Sequence, residues 1–175
     1  RLRHVVTDAL DIALLEHGRL PIAVRELPLD DLVDDVVKEI RPDLERKGLG
    51  IAREGDRTLT ISADAQHTQR ILRTLLRNAV QYTERGGITV SCSIQQDCVA
   101  VTVTDTGVGI QAGQLKQLFA KPQLGALLHG RGLSLFLAKR LAKALGGELV
   151  LISSELERGS TFVVTFPRRA PKAEA

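Results

Sequence analysis

Asp105-Thr106-Gly107-Val108-Gly109-Ile110 places a carboxylate and two spaced glycines directly after an alternating apolar stretch at 99–104. A carboxylate at the end of a rigid strand can accept a hydrogen bond from an exocyclic amine, and the glycines let backbone approach a ligand closely. The same residues also suit a tight turn. About 27 residues earlier, Asn78 lies among apolar neighbours in Leu75-Leu76-Arg77-Asn78-Ala79-Val80-Gln81-Tyr82-Thr83. An amide is costly there without a partner. Its oxygen suits Mg²⁺, which takes oxygen donors and keeps waters and substrate phosphates as other ligands; the alternative is a capping or core-bonded Asn. Tyr82, one turn further on, could cover a purine ring or be an ordinary boundary tyrosine. Gly130-Arg131-Gly132-Leu133 opens a helical pattern, and exposed N–H groups at the positive end of a helix dipole can hold an anion. A flexible joint is the other reading. In Gly159-Ser160-Thr161-Phe162 the Thr161 hydroxyl could reach the base side of a pocket.

Positioning these residues requires a frame. Apolar residues at 2, 5, 6, 9, 10, 12, 13 and 14, followed by Gly18, predict a helix without a cap at its start, the end of something longer. Residues 19–29 read as extended. Pro28 opens a second helix with Asp30 and Asp31 in its first turn, where the dipole favours them, and Gly48 and Gly50 close it. A short strand at 59–61 leads to a third helix, capped by Ser62 or Asp64, that carries Asn78 and Tyr82. Stretches 88–94 and 99–104 alternate with period two around Gln95-Gln96-Asp97, a hairpin ending at Asp105. Residues 106–132 hold six of the fifteen glycines and a short helix at 113–119, a long functional loop. A helix at 133–145 and a second hairpin at 148–153 and 161–166 follow. The expected fold is α+β: a two-layer sandwich with a mixed sheet of about five strands covered on one face by three helices. Helices are absent between most strands, which excludes a Rossmann sheet.

The chain has 175 residues, 43% hydrophobic and 26% charged, with 24 basic against 21 acidic side chains. That is the balance of one globular domain able to bury roughly 70% of its unfolded surface. The signs are interspersed and aromatics are few (four Phe, one Tyr, no Trp), so nucleic acid is not an expected partner. No apolar run approaches membrane length and no signal peptide is recognisable, so no membrane contact is expected of these residues. Cys92 and Cys98 read as reduced packing residues, consistent with a cytoplasmic location.

Taken in order, these motifs resemble the catalytic and ATP-binding domain of sensor histidine kinases, within the wider family of the gyrase, Hsp90 and MutL ATPases. The asparagine box maps on Asn78, the first glycine box on Asp105, Gly107 and Gly109, the phenylalanine box on Phe119, and the second glycine box on Gly130 and Gly132. The resemblance covers roughly 28–167. It implies ATP and Mg²⁺ as cofactors, with Asp105 accepting from the adenine amine, Asn78 holding the ion and Tyr82 packing near the base. Residues 110–130 would be the ATP lid, with Lys116, Lys121, His129 and Arg131 as its cationic candidates for the phosphates. It divides the chain into the end of a dimerisation and phosphotransfer helix (1–17), a linker (18–28), the ATP domain (29–167) and a polar tail (168–175). The implied partners are ATP or ADP, the protein's own upstream histidine hairpin, a response-regulator receiver domain and a second copy in a homodimer. A membrane anchor in the parent protein is left open.

Several positions depart from the family pattern. The family's phosphoacceptor motif is absent, since His4 is followed by Val5. Thr74 stands four residues before Asn78, where kinases usually carry a second Asn and the ATPases a general-base Glu, so no carboxylate is there to activate water. Gln81 replaces a usual Lys or Arg, Ser134 a usual Gly, and Ala120-Lys121-Pro122 follows Phe119 in place of Glu-Pro-Phe. Two functions therefore compete: a module presenting the γ-phosphate of ATP to a histidine, and a degenerate nucleotide-binding regulator that transfers nothing. A third, an anti-sigma-type serine kinase, is disfavoured by the helix at 1–17.

Overall fold

The computed structural model describes residues 2–121 and 133–168, with side chains from residue 6 onward. Five helices occur among them: α1 (Leu2–Glu16), α2 (Leu29–Lys47), α3 (Ala65–Tyr82), the single turn α4 (Ala112–Leu115) and α5 (Leu133–Ala144). The strands are β1 (Arg25–Pro28), β2 (Gly50–Gly55), β3 (Thr60–Ala63), β4 (Gly87–Gln95), β5 (Cys98–Asp105), β6 (Leu149–Glu155) and β7 (Gly159–Pro167). Five of them form one sheet in the order β2-β4-β5-β7-β6, with β2 parallel to β4 and all other pairs antiparallel. This is the expected α+β sandwich with a mixed five-stranded sheet.

Alternation sets the two faces of that sheet. Ile88, Val90 and Cys92 of β4, Val99, Val101 and Val103 of β5, and Phe162, Val164 and Phe166 of β7 are buried under the helices. Leu72, Leu75 and Leu76 of α3 and Leu137 and Leu141 of α5 form the facing layer. Successive residues such as Thr102, Thr104, Thr161 and Thr165 point the other way and are half-buried.

Two strands go beyond the sequence expectation. Residues 25–28, expected as the end of a linker, pair antiparallel with β3, Leu27 opposite Ile61. Residues 50–55 form β2, hidden in the sequence by its two glycines and by Arg53 and Glu54, which do not alternate with apolar residues. Arg53 is instead bonded to Asp30 and Asp34 of α2, a tertiary pairing that no local pattern reveals. The cysteines are both free, Cys92 buried and Cys98 half-buried, and among the described residues no helix is long and apolar enough to cross a membrane.

Candidate functional site

Asp105 is the last residue of β5 and only 6% exposed. Its Oδ1 accepts from the Gly107 N–H at 2.9 Å, closing a tight turn. Burial pushes its pKa above the ordinary carboxylate value, opposed in part by the amides of Gly107 and Ser160. The turn and the acceptor are thus compatible: one oxygen serves the loop, and no side-chain or backbone donor among the described residues is hydrogen-bonded to the other beyond the nearby Ser160 amide.

Three segments meet around this carboxylate, and glycines make the meeting possible. A Cβ at Gly107 would strike the carbonyl of Tyr82, one at Gly109 (φ +70°) the carbonyl of Glu155, and one at Gly159 (φ +99°) the carbonyl of Asp105 itself. Val108 N–H donates to Tyr82 O at 3.0 Å and Glu157 N–H to Val108 O at 3.0 Å, so the loop is stitched to the end of α3 and to the β6–β7 turn. The close approach expected toward a ligand is, at Gly107 and Gly109, an approach to the protein's own backbone.

Asn78 and Tyr82 share one face of α3 by their four-residue spacing. Asn78 is half-buried. Tyr82 is 54% exposed at the last position of the helix. Both ends of α3 are fixed. Asp64 caps the first turn through His67 N–H (3.0 Å). At the other end the Lys47 ammonium donates to the carbonyls of Val80 (2.7 Å), Gln81 (3.1 Å) and Thr83 (3.1 Å), placing a cation where the helix dipole is negative. Lys47 is a site-positioning residue that the sequence reading missed; at the end of α2 it reads as serving its own helix.

The other expected site residues separate. Thr161 lies on the sheet face away from the helices, its hydroxyl 3.2 Å from that of Thr104, its opposite number in the register. Ser160 is opposite Asp105, on the same face, and 7% exposed. Of the two residues, Ser160 is the register partner of Asp105, and its backbone amide lies by the carboxylate. Lys121 is ion-paired with Glu16 of α1 at 2.6 Å, which holds the Glu16 carboxyl below its ordinary pKa. Leu133 is buried as the first residue of α5. Phe119 packs edge-on against Phe162, ring centroids 6.3 Å apart, under the Lys139 ammonium. Gly130, Arg131, Gly132 and His129 lie outside the described residues.

Among the described residues no group of three or more His, Cys, Asp or Glu could hold a metal. The Asn78 amide oxygen is of the donor type that Mg²⁺ takes, with water and phosphate as that ion's usual further ligands.

Residues 63–170 match the family described as histidine kinase-, DNA gyrase B-, and HSP90-like ATPase. The chain is 32% identical to the non-motile and phage-resistance protein of Caulobacter vibrioides over 94% of its own length and 21% of that protein. It is 30% identical to the sensor histidine kinase RcsC of Escherichia coli over 95% of its length and 18% of the other. It therefore spans about a fifth of these curated relatives. Among solved structures, full-length ShkA in complex with AMPPNP superposes with a TM-score of 0.82 at 28% identity, covering 94% of this chain and 35% of that one. The histidine kinase AdeS of Acinetobacter baumannii superposes at 0.79 and 21% identity, over 95% and 78%, a likeness of fold.

Proposed function

Given that the chain belongs to the histidine kinase-, DNA gyrase B- and HSP90-like ATPase family, we propose that it is the ATP-binding catalytic domain of a two-component sensor histidine kinase. The observation that carries this reading is the buried Asp105, fixed by its own loop, with that loop bonded to the end of α3, the helix that carries Asn78 and Tyr82. A carboxylate in that position accepts from the amino group of adenine. Tyr82 covers the base from the rim, and the Asn78 oxygen, one helical turn back, is aimed at the phosphate end. Asn78 is the residue that would hold Mg²⁺, and the ion would supply neutralisation of phosphate charge.

The reaction is phosphoryl transfer: the bond from the γ-phosphorus to the bridging oxygen breaks, a nitrogen–phosphorus bond forms at an imidazole, and ADP leaves. The domain's own contribution is positioning and exclusion of water from the base. Thr74 offers no carboxylate to activate water, which favours transfer over hydrolysis. The phosphoacceptor histidine belongs to an upstream helical hairpin of which α1 is the end, the linker is 18–28, the ATP domain 29–167 and the tail 168–175. The full protein is a cytoplasmic-facing homodimer that passes the phosphoryl group to a receiver-domain aspartate. On the sequence pattern, Gly130, Arg131, Gly132 and Leu133 are assigned to phosphate binding. Thr161, bonded to Thr104, lines the same cavity as Asp105 and keeps its proposed place on the base side.

A second reading, a nucleotide-binding regulator without transfer, is favoured by the loss of donors at Thr74 and Gln81 and by the engagement of Lys121 with Glu16. Calorimetry with ADP tests the first half of the proposal, and single-turnover labelling of the chain joined to its upstream hairpin separates the two readings. Acid-labile, base-stable phosphate on the hairpin supports the kinase. ADP binding with no label, even after Thr74→Asn and Gln81→Lys, supports the regulator.

A further inference from the structure

Thr106 follows Asp105 in the glycine loop, and its hydroxyl is engaged with the connector between α3 and β4. The Gly87 N–H donates to Thr106 Oγ1 at 3.0 Å. The Thr106 O–H has the Arg85 carbonyl at 3.1 Å and the Gly87 carbonyl at 3.4 Å as acceptors, and either choice returns to the same three-residue segment. The Thr106 N–H adds a bond to the Gly87 carbonyl at 3.2 Å. Gly86, at φ +97°, lets the two segments come this close, since a Cβ there would strike Thr106 Oγ1. The bonds made by the hydroxyl are exposed, so water can take the place of either partner and their worth to folding is small. Their effect is on position.

We propose that Thr106 is a positioning residue for the nucleotide site: its hydroxyl clasps residues 85–87 and so holds the last turn of α3, with Tyr82, against the loop that begins at Asp105. Tyr82 is the final residue of α3 and 54% exposed, so side-chain packing does little to fix it. Its backbone is fixed from two sides. Lys47 holds the carbonyls around it from α2, but among the described residues the hydrogen bonds from the glycine loop to 82–87 are those of Thr106 and of the Val108 N–H to Tyr82 O. With the clasp open, residues 83–87 gain freedom that a bound base has to remove, and that ordering is subtracted from the binding free energy. Thr106 makes no contact with the base and acts through Tyr82.

The inference rests on the nucleotide-site reading above, and the test separates the two. ADP binding is measured by calorimetry for the wild type, Thr106→Val, Thr106→Ser, Tyr82→Ala and the Thr106→Val/Tyr82→Ala double variant, with thermal unfolding of each without ligand. No ADP binding by the wild type overturns the nucleotide site and this inference with it. If the wild type binds, Thr106→Val, which keeps the shape and removes the hydroxyl, is expected to lose about fivefold in affinity, the worth of one hydrogen bond, with little change in melting temperature. Thr106→Ser should bind like the wild type, and the double variant should lose no more than Tyr82→Ala alone. Undiminished affinity in Thr106→Val overturns the inference, whether or not its melting temperature falls. So do an equal loss in Thr106→Ser, losses that add in the double variant, and a Tyr82→Ala variant that binds like the wild type. Should Thr106→Val fail to fold, hydrogen exchange of the wild type decides: ADP is expected to slow the Gly87 and Val108 amides together, and a Gly87 amide indifferent to ADP is equally fatal.

Discussion

Burial favours the protonated form of Asp105, whereas an amine donor is best met by the ionised form. The folded chain therefore holds a proton on Asp105 over a window that begins at the ordinary carboxylate pKa and ends at the raised one. Without ligand, stability falls as pH rises through that window. ADP affinity should rise over the same interval and then level off. Asp105→Asn keeps the oxygen that accepts from Gly107 but no longer buries a charge, so the unliganded variant should melt higher at neutral pH while losing about ten- to a hundredfold in ADP affinity. Undiminished calorimetric binding would remove Asp105 from the site. Asn78→Ala should weaken Mg·ATP far more than metal-free ADP, and equal losses would return Asn78 to packing. Both residues stand out in the sequence as candidates because their neighbours are informative: a strand end with spaced glycines, and an amide in an apolar helix. Thr161 was singled out and Ser160, the register partner of Asp105, was not, because the phase of a strand's alternation is set by its partner's register, which a single sequence does not print.

At the level of elements, α3 is held like a beam between two fixed supports. The pKa of Asp64 is pushed up by its burial but pulled further down by the amides of His67 and Ala23 and by the His67 ring, leaving it below the ordinary value. Its stabilisation is present above the unfolded-state pKa and lost as pH falls through the lower folded value. Asp64→Ala should cost about 1 kcal/mol by chemical denaturation at neutral pH, with the difference from wild type vanishing in acid. Lys47→Met removes the cation from three carbonyls at the opposite end and should cost about 1 kcal/mol while weakening ADP through a looser Tyr82; Lys47→Arg should restore most of both. Stability lost with ADP affinity intact would make Lys47 a support for the helix alone. The helices were legible because 3.6-residue periodicity is local, and β4 and β5 because their alternation is clean. β1 and β2 were not, since four residues of one and the charged residues of the other acquire strand character only from β3 and β4.

Across the whole molecule, α1 and the following segment are fastened to the ATP domain at several points. Arg70 of α3 is paired with Asp8 and Asp11, Lys121 with Glu16, the Ala23 N–H donates to Asp64, and the His67 ring is 3.0 Å from the Pro21 carbonyl. Ion pairs that reach solvent weaken with salt, the exposed Lys121–Glu16 pair more than the partly buried Arg70 pairs. Hydrogen exchange at the amides of 6–16 should therefore rise with ionic strength and more strongly in Arg70→Ala, while β5 stays protected; exchange that ignores both would mean that Ile12 and its apolar neighbours hold α1 unaided. None of these ties could be read from the sequence, where their partners stand 41 to 105 residues apart. The strand order β2-β4-β5-β7-β6 has one more consequence, in time. A chain made from its N-terminus completes β6 before β7, yet β6 borders no strand except β7, and Ser160 enters opposite Asp105 only with that last strand. For a nascent domain the helices and the β4–β5 hairpin can form early from local contacts, while the base-reading corner must wait until nearly the whole domain has left the ribosome. Every half-made copy thus lacks the Asp105–Ser160 corner, which is completed in a single late step.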